Sequence, residues 1–119
     1  MKNSLQTAKS ILNLIGNTPL IKIDKVVKNF TGTYYAKWEA ANPGHSNKDR
    51  IALFIIEEAE RKGLLQNDSV IIETTSGNTG FSLAMVSLIK GYECILAVSS
   101  KSSKDKINML RAMGAKVYV

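Results

Sequence analysis

From residue 33 onward, short apolar segments alternate with longer segments in which apolar residues recur every three to four positions. The apolar segments are SVIIE at 69–73, CILAV at 94–98 and the start of a further one at 116–119, and the helical patterns between them end at glycines 63, 91 and 114. Strands that are apolar throughout and separated by helices predict a parallel sheet with helices on both faces. With a first strand at 33–38, the order is β-α-β-α-β-α-β and the fold class is α/β.

The composition excludes several classes of protein. The chain has 119 residues, 45% of them apolar, which is enough for a core and too many for a disordered chain. A single cysteine, Cys94, excludes a disulfide framework and a Cys-rich zinc site; we expect it in the core and predict no metal site. No apolar run approaches the ~20 residues that span a bilayer, and the first ten residues do not resemble a secretory leader. These features predict a cytoplasmic protein without a membrane partner.

The net charge of +6 raises nucleic acid as a partner, since lysines can neutralise phosphates. The lysines are dispersed, however, and the signs alternate over EEAERK at 57–62. No nucleic-acid-binding module and no interleaved aromatic residues accompany them. We therefore expect surface lysines that attract small anions and no nucleic-acid partner.

One loop with the residues of a binding site is TTSGNTG at 74–80, between the strand at 69–73 and the next helix. Ligands of parallel sheets bind outside the carboxyl ends of the strands, where such loops lie. Its glycines allow the backbone to approach a ligand, and the N–H groups of a helix N-terminus favour an anion. The loop predicts a cradle for a carboxylate or phosphate, with an ordinary capped turn as the alternative.

The second loop, at 42–50, leads into a helix for which Ser46 and Asp49 form a predicted capping box. Lys48 falls in the first turn, and this end of a helix favours anions over cations. One interpretation is therefore that its amine is neutral and acts as a nucleophile. A surface lysine whose side chain points away is the other. Neighbouring parallel loops would place Lys48 beside the 74–80 loop. An amine beside an anion site is what amino-acid chemistry on pyridoxal phosphate requires.

Four ordered motifs resemble the cysteine synthase and cystathionine β-synthase family, which are fold-type II pyridoxal-phosphate enzymes. They are IGNTPLIKI at 15–23, NPGHSNKDR at 42–50, ETTSGNTG at 73–80, and GYECILAV with MLRAMGAKVYV within 91–119. The resemblance covers residues 11–119. It implies that the chain is truncated, with 1–32 as the N-terminal segment of the large cofactor domain and 33–119 as most of the small α/β domain.

The resemblance also implies roles for individual residues. Lys48 would be catalytic and would bind pyridoxal 5'-phosphate covalently, and Asn78 would hydrogen-bond the 3′-hydroxyl of the cofactor. The loop that would receive the carboxylate of the substrate comprises Thr75, Ser76, Gly77, Asn78 and Thr79. The implied reaction is β-replacement on O-acetylserine or serine by sulfide or a thiol, in a homodimeric full-length protein. Cysteine synthase is the first choice and cystathionine β-synthase is the alternative.

The chain differs from the family at four places. His45 replaces the usual Gly and Asn47 the usual Val, while Thr74 replaces the usual Pro or Ala and Ser99-Ser100 the usual Met-Pro. The first two flank Lys48 and leave the substrate open; His45 is expected to be a tolerated loop residue, with a proton shuttle as the alternative. In the family, the loop that holds the cofactor phosphate lies beyond position 119. We therefore expect the 119-residue chain by itself to bind the cofactor weakly or not at all and to show no turnover. A non-catalytic module or assembly partner is the alternative of another class.

Overall fold

The structure is a computed structural model that describes residues 7–75 and 77–119. Its strands are β1 (Leu20–Ile23), β2 (Tyr34–Lys37), β3 (Val70–Thr74), β4 (Glu93–Ala97) and β5 (Lys116–Tyr118). Its α-helices are α1 (Lys48–Arg61), α2 (Asn78–Lys90) and α3 (Lys104–Ala112). Each of these helices is too short or too polar to cross a membrane.

Strands β3, β4 and β5 form a parallel sheet in that order, with Ile71 beside Cys94 and Leu96 beside Val117. Right-handed crossovers that advance in one direction place both connecting helices on the same face of the sheet. The packing agrees, because Leu96 lies in one buried cluster with residues of both α2 and α3. The predicted α/β class, with parallel strands and connecting helices, is confirmed.

The opposite face of this sheet is open in the described part of the chain. Ile72 is 70% exposed, and Val70 and Tyr118 on the same face are also exposed. Among the described residues, the predicted cover by helices is therefore confirmed for one face and not for the other.

Strand β2 does not belong to the parallel sheet. It pairs antiparallel with β1, from Leu20 beside Lys37 to Ile23 beside Tyr34. The prediction that a strand at 33–38 begins the parallel sheet is therefore wrong. A parallel pair needs a crossover connection, whereas a short loop joins β1 to β2 and allows them to pair directly. The pair spans the predicted boundary between residues 32 and 33, and the division into two domains stays a prediction.

Helix α2 is the centre of the packing. Gly80 and every residue from Ser82 to Ser87 are buried, because α2 lies between α1 and the sheet. Ala84 packs with Cys94 and Leu96 on the sheet side. Cys94 is therefore a core residue, as predicted, and burial raises the pKa of its thiol.

Two helix starts differ from their predictions. The helical pattern at residues 5–15 forms a 3-10 turn over Ile11–Leu14 in its described part, capped by Ser10, and residues 1–6 lie outside the described residues. Helix α3 is capped by Ser103, whose hydroxyl accepts from the Lys106 N–H at 3.4 Å. The spacing of Ser102 and Asp105 in the sequence predicts a capping box that starts one residue earlier, and this prediction is wrong.

Candidate active site

Lys48 is the first residue of α1 and is half-buried. Its backbone N–H donates to the Ser46 hydroxyl at 3.2 Å. The predicted capping box is wrong, since the N-cap of α1 is Asn47 and Asp49 accepts from the N–H of Gly44 and not from that of Ser46. The lysine therefore lies in the first turn, as the sequence indicates, but a longer-range contact holds the loop before it.

His45 has a backbone φ of 60° and is exposed. This is the left-handed region, which costs a side chain about 1 kcal/mol or more and suits glycine. The conformation explains why glycine is the usual residue here in the family that the motifs resemble. Asn47, the other departure beside Lys48, has an ordinary φ of −70° and makes no capping hydrogen bond with its side chain.

The second predicted loop follows the carboxyl end of β3, as expected. Helix α2 begins at Asn78, which is exposed, and Thr79 is half-buried; Ser76 lies outside the described residues. The Thr75 hydroxyl oxygen accepts the N–H groups of Gly77 at 3.3 Å and Gly80 at 3.1 Å. Thr75 therefore supports the loop from within.

The two glycines of this loop have different surroundings. A Cβ at Gly80 would overlap the methyl group of Thr75, so only glycine fits there without a shift. A Cβ at Gly77 would meet nothing within 4 Å. The backbone at the start of α2 therefore has open space beside it, where a ligand can approach the N–H groups of the first turn.

The two loops lie together. A cavity of about 170 Å³ is lined by Gly44 and His45 from the first loop and by Gly77 and Asn78 from the second. The rest of its lining is mostly apolar and comes from Phe81, Val98, Lys106, Met109 and Leu110. Lys48, Thr75 and Thr79 do not line this cavity. The two loops are therefore neighbours, through the packing of α1 along α2 and not through a pair of neighbouring parallel strands, while the placement of Lys48 itself beside the 74–80 loop stays a prediction.

A hydrogen bond between the two helices fixes this arrangement. The hydroxyl of Ser82 donates to Asp49 Oδ1 at 2.5 Å. Asp49 is the residue after Lys48, and Ser82 follows Asn78 by one helical turn, on the same side of α2. The first turns of the two helices are thus held side by side.

A second group of polar residues supports the first loop from the N-terminal side. Arg50 contacts both carboxylate oxygens of Glu39, at 2.7 Å and 2.9 Å, and also donates to the Gly16 carbonyl at 2.9 Å. Asn42, which is 1% exposed, accepts the Gly16 N–H at 2.8 Å and donates to the Ser46 carbonyl at 3.0 Å. The Arg50 guanidinium lowers the pKa of the Glu39 carboxyl to about 2.

The sequence does not identify these supporting contacts. The spacing of Ser46 and Asp49 indicates a local cap, and no motif includes Ser82 or Glu39. A buried serine within a helix and an asparagine before a turn are the available signals, but the Gly16 partner of Asn42 and the Asp49 partner of Ser82 lie 26 and 33 residues away. Nothing in the spacing identifies such partners.

The residues present fit pyridoxal phosphate. The amine of Lys48 can bond covalently to the aldehyde of the cofactor, and the side-chain amide of Asn78 can hydrogen-bond its hydroxyl. The open N-terminus of α2 can bind the carboxylate of an amino acid. No group of three or more His, Cys, Asp and Glu side chains that could bind a metal occurs within 7–75 and 77–119.

Comparisons with known proteins agree with this assignment. The chain is 50% identical over 109 residues to a cystathionine beta-synthase of Apis mellifera, covering 90% of this chain and 22% of that protein. It is 49% identical over 107 residues to a cysteine synthase of a Flavobacterium species, with coverage of 90% and 34%. The chain thus spans about a fifth to a third of the length of these relatives.

A solved structure has the same fold. The hydrogen sulfide-producing enzyme of Fusobacterium nucleatum superposes with a TM-score of 0.87 at 48% identity, over 94% of this chain and 37% of that one. The family model described as pyridoxal-phosphate dependent enzyme matches residues 11–119. The chain therefore belongs to the family of pyridoxal-phosphate dependent enzymes.

Proposed function

We propose that the protein carrying this chain catalyses β-replacement on an O-acetylserine-type amino acid, forming cysteine from O-acetylserine and sulfide. The observation that supports it is the position of the first turns of α1 and α2, held side by side by the Asp49–Ser82 hydrogen bond of 2.5 Å. This places the lysine loop and the TSGNT loop on one cavity. The relatives named cysteine synthase and cystathionine beta-synthase support the reaction class.

Each of the proposed site residues has a separate role. Lys48 would hold the cofactor through its Nζ atom, and as a free amine it would accept the proton from the α-carbon of the substrate. The side-chain amide of Asn78 orients the cofactor by a hydrogen bond. The N–H groups around Gly77 bind the carboxylate of the substrate, since a helix N-terminus favours an anion. Pyridoxal phosphate, when bound, supplies the electron-accepting ring that makes removal of this proton feasible.

Synthesis of cystathionine from serine and homocysteine is the second candidate. The observation that favours it is the apolar side of the cavity, formed by Phe81, Val98, Met109 and Leu110 beside Asn78. Sulfide needs no apolar surface of this size, whereas the carbon chain of an organic thiol can bury there.

A paired assay separates the two candidates. The full-length protein, loaded with pyridoxal phosphate, is given O-acetylserine with sulfide or serine with homocysteine, and cysteine and cystathionine are measured. We expect the larger kcat/KM for the first pair. Preference for the second pair would replace cysteine synthesis with cystathionine synthesis, and turnover of neither pair would overturn β-replacement.

We also propose that residues 1–119 alone do not form a working site. The described residues supply the amine, the amide and one helix N-terminus, and the family features expected to hold the cofactor phosphate are not among them. A stable visible absorbance band in the isolated chain with added pyridoxal phosphate, lost in Lys48→Ala, would show this to be wrong.

A further inference from the structure

Asp49 is a fully buried carboxylate that directly follows Lys48 in the first turn of α1. Its Oδ2 accepts the backbone N–H of Gly44 and its Oδ1 accepts the hydroxyl of Ser82, both at 2.5 Å. No ion pair that involves it occurs among residues 7–75 and 77–119. A buried charge is costly unless it is hydrogen-bonded, so these two contacts are what make its burial possible.

The two donors belong to different parts of the site. Gly44 lies in the loop that leads to Lys48, while Ser82 lies in α2, one turn after Asn78. The fit at Gly44 is close, because a Cβ there would overlap the Asp49 carboxylate. One side chain therefore links the segment that carries the amine to the helix that carries the amide.

We propose that Asp49 is a positioning residue, whose two hydrogen bonds set the distance between the amine of Lys48 and the side-chain amide of Asn78. The inference rests on the proposed function, since it takes both groups to bind one cofactor. Asp49 itself acts through Gly44 and Ser82. The link fixes the lysine loop against α2, so that cofactor binding does not have to bring the two segments together.

The link is geometric and does not require the charge. In Asp49→Asn, the amide oxygen can accept the Gly44 N–H while the NH₂ group donates to the Ser82 oxygen. In Asp49→Ala, both contacts are lost and two buried donors are left unpaired. We therefore expect the asparagine variant to behave like the parent protein and the alanine variant to lose the link.

Hydrogen exchange of the full-length protein without cofactor tests the link itself. Ser82→Ala removes only the contact with α2, and Ser87→Ala is its matched control, a buried serine on the same helix that makes no described hydrogen bond to Asp49. We expect amides over 44–48 to exchange about tenfold faster in Ser82→Ala, since a buried hydrogen bond is lost. Equal exchange in the two variants would overturn the proposal.

Cofactor affinity then tests the positioning role. The dissociation constant of pyridoxal phosphate, measured by absorbance, should rise about tenfold in Ser82→Ala and more in Asp49→Ala. It should return close to the parent value in Asp49→Asn. Faster exchange with unchanged affinity would overturn the positioning role, because the link would then only stabilise the fold. A parent protein that binds no cofactor would overturn the proposed function and this role with it, and the exchange result would show whether the link exists independently.

Discussion

The guanidinium of Arg50 contacts both carboxylate oxygens of Glu39, at 2.7 Å from Nε and 2.9 Å from Nη2. Glu39 precedes the lysine loop, and Arg50 lies in α1 two residues after Lys48. The pair therefore closes the base of the loop, and Thr18 joins it through a hydroxyl bond of 2.9 Å to Glu39. A two-point contact between a guanidinium and a carboxylate is directional, so it specifies the geometry of the loop as well as stabilising it.

This pair predicts an acid-dependent loss of stability. The hydrogen bonds from Arg50 lower the pKa of Glu39 from 4.5 to about 2. A depressed carboxyl pKa contributes stability that is fully present above the unfolded value and is lost as the pH falls through the folded value. We expect the urea midpoint of the protein to fall between pH 4.5 and about 2, and Glu39→Gln to reduce this slope. Asp68→Asn, at an exposed carboxylate with no described ion pair, is the control. An equal slope in all three proteins would contradict the prediction.

Lys48→Ala should abolish covalent binding of the cofactor, because the proposed function assigns the aldehyde to this amine and not to Lys106, which lines the cavity. The full-length variant is incubated with pyridoxal phosphate, treated with borohydride and analysed by mass spectrometry. Lys62→Ala, at the other end of α1, is the control and should keep the full mass increase. A labelled peptide that does not contain residue 48 would assign the amine to a different lysine.

His45→Gly should stabilise the fold. The φ of 60° costs a histidine ~1–2 kcal/mol, and the extra freedom of glycine in the unfolded chain offsets part of that gain. We expect a net increase of about 0.5 kcal/mol in the free energy of unfolding. Asn47→Gly, two residues on at an ordinary φ of −70°, should instead lower it. Equal losses in the two variants would show that His45 makes a contact worth more than its strain.

Gly80→Ala should destabilise the protein by about 1–3 kcal/mol, since the added methyl overlaps the Thr75 side chain. Thr75→Ser removes the overlapping methyl and keeps the oxygen that accepts from Gly80. The double variant should therefore recover part of the loss, and a double-mutant cycle measures that coupling. Gly77→Ala, whose added methyl meets nothing, should cost less than Gly80→Ala. Strict additivity would mean that the two side chains do not interfere.

The sequence predicts the local elements well, because each depends on a local pattern. The apolar runs become β3, β4 and β5, and Gly91 ends α2 in the left-handed conformation at φ 82°. The pairing of β2 with β1 was missed, since strand propensity does not specify a partner. Register and partner depend on contacts distant in sequence, which a single sequence does not reveal.

The candidate site shows the same difference between local patterns, which the sequence reveals, and distant contacts, which it does not. The motifs identify Lys48 and the TSGNT loop, and the comparisons confirm the family and its cofactor. They do not reveal the Asp49–Ser82 and Asn42–Gly16 hydrogen bonds, which join residues far apart in the chain. These side chains become visible only when burial and donor geometry are known.

Asn78, the first residue of α2, belongs to the candidate site. The rest of the helix packs into two buried apolar clusters, one shared with the sheet and α3 and the other shared with α1. Close-packed interiors transmit displacement with little loss. We therefore expect a substitution that repacks Ala84 against the sheet, or Val86 in the cluster shared with α1, to shift Asn78 at the start of the helix. Substitutions along α2 therefore affect the stability of the fold and the geometry of the candidate site together. A change in one apolar cluster is expected to need a compensating change in the other.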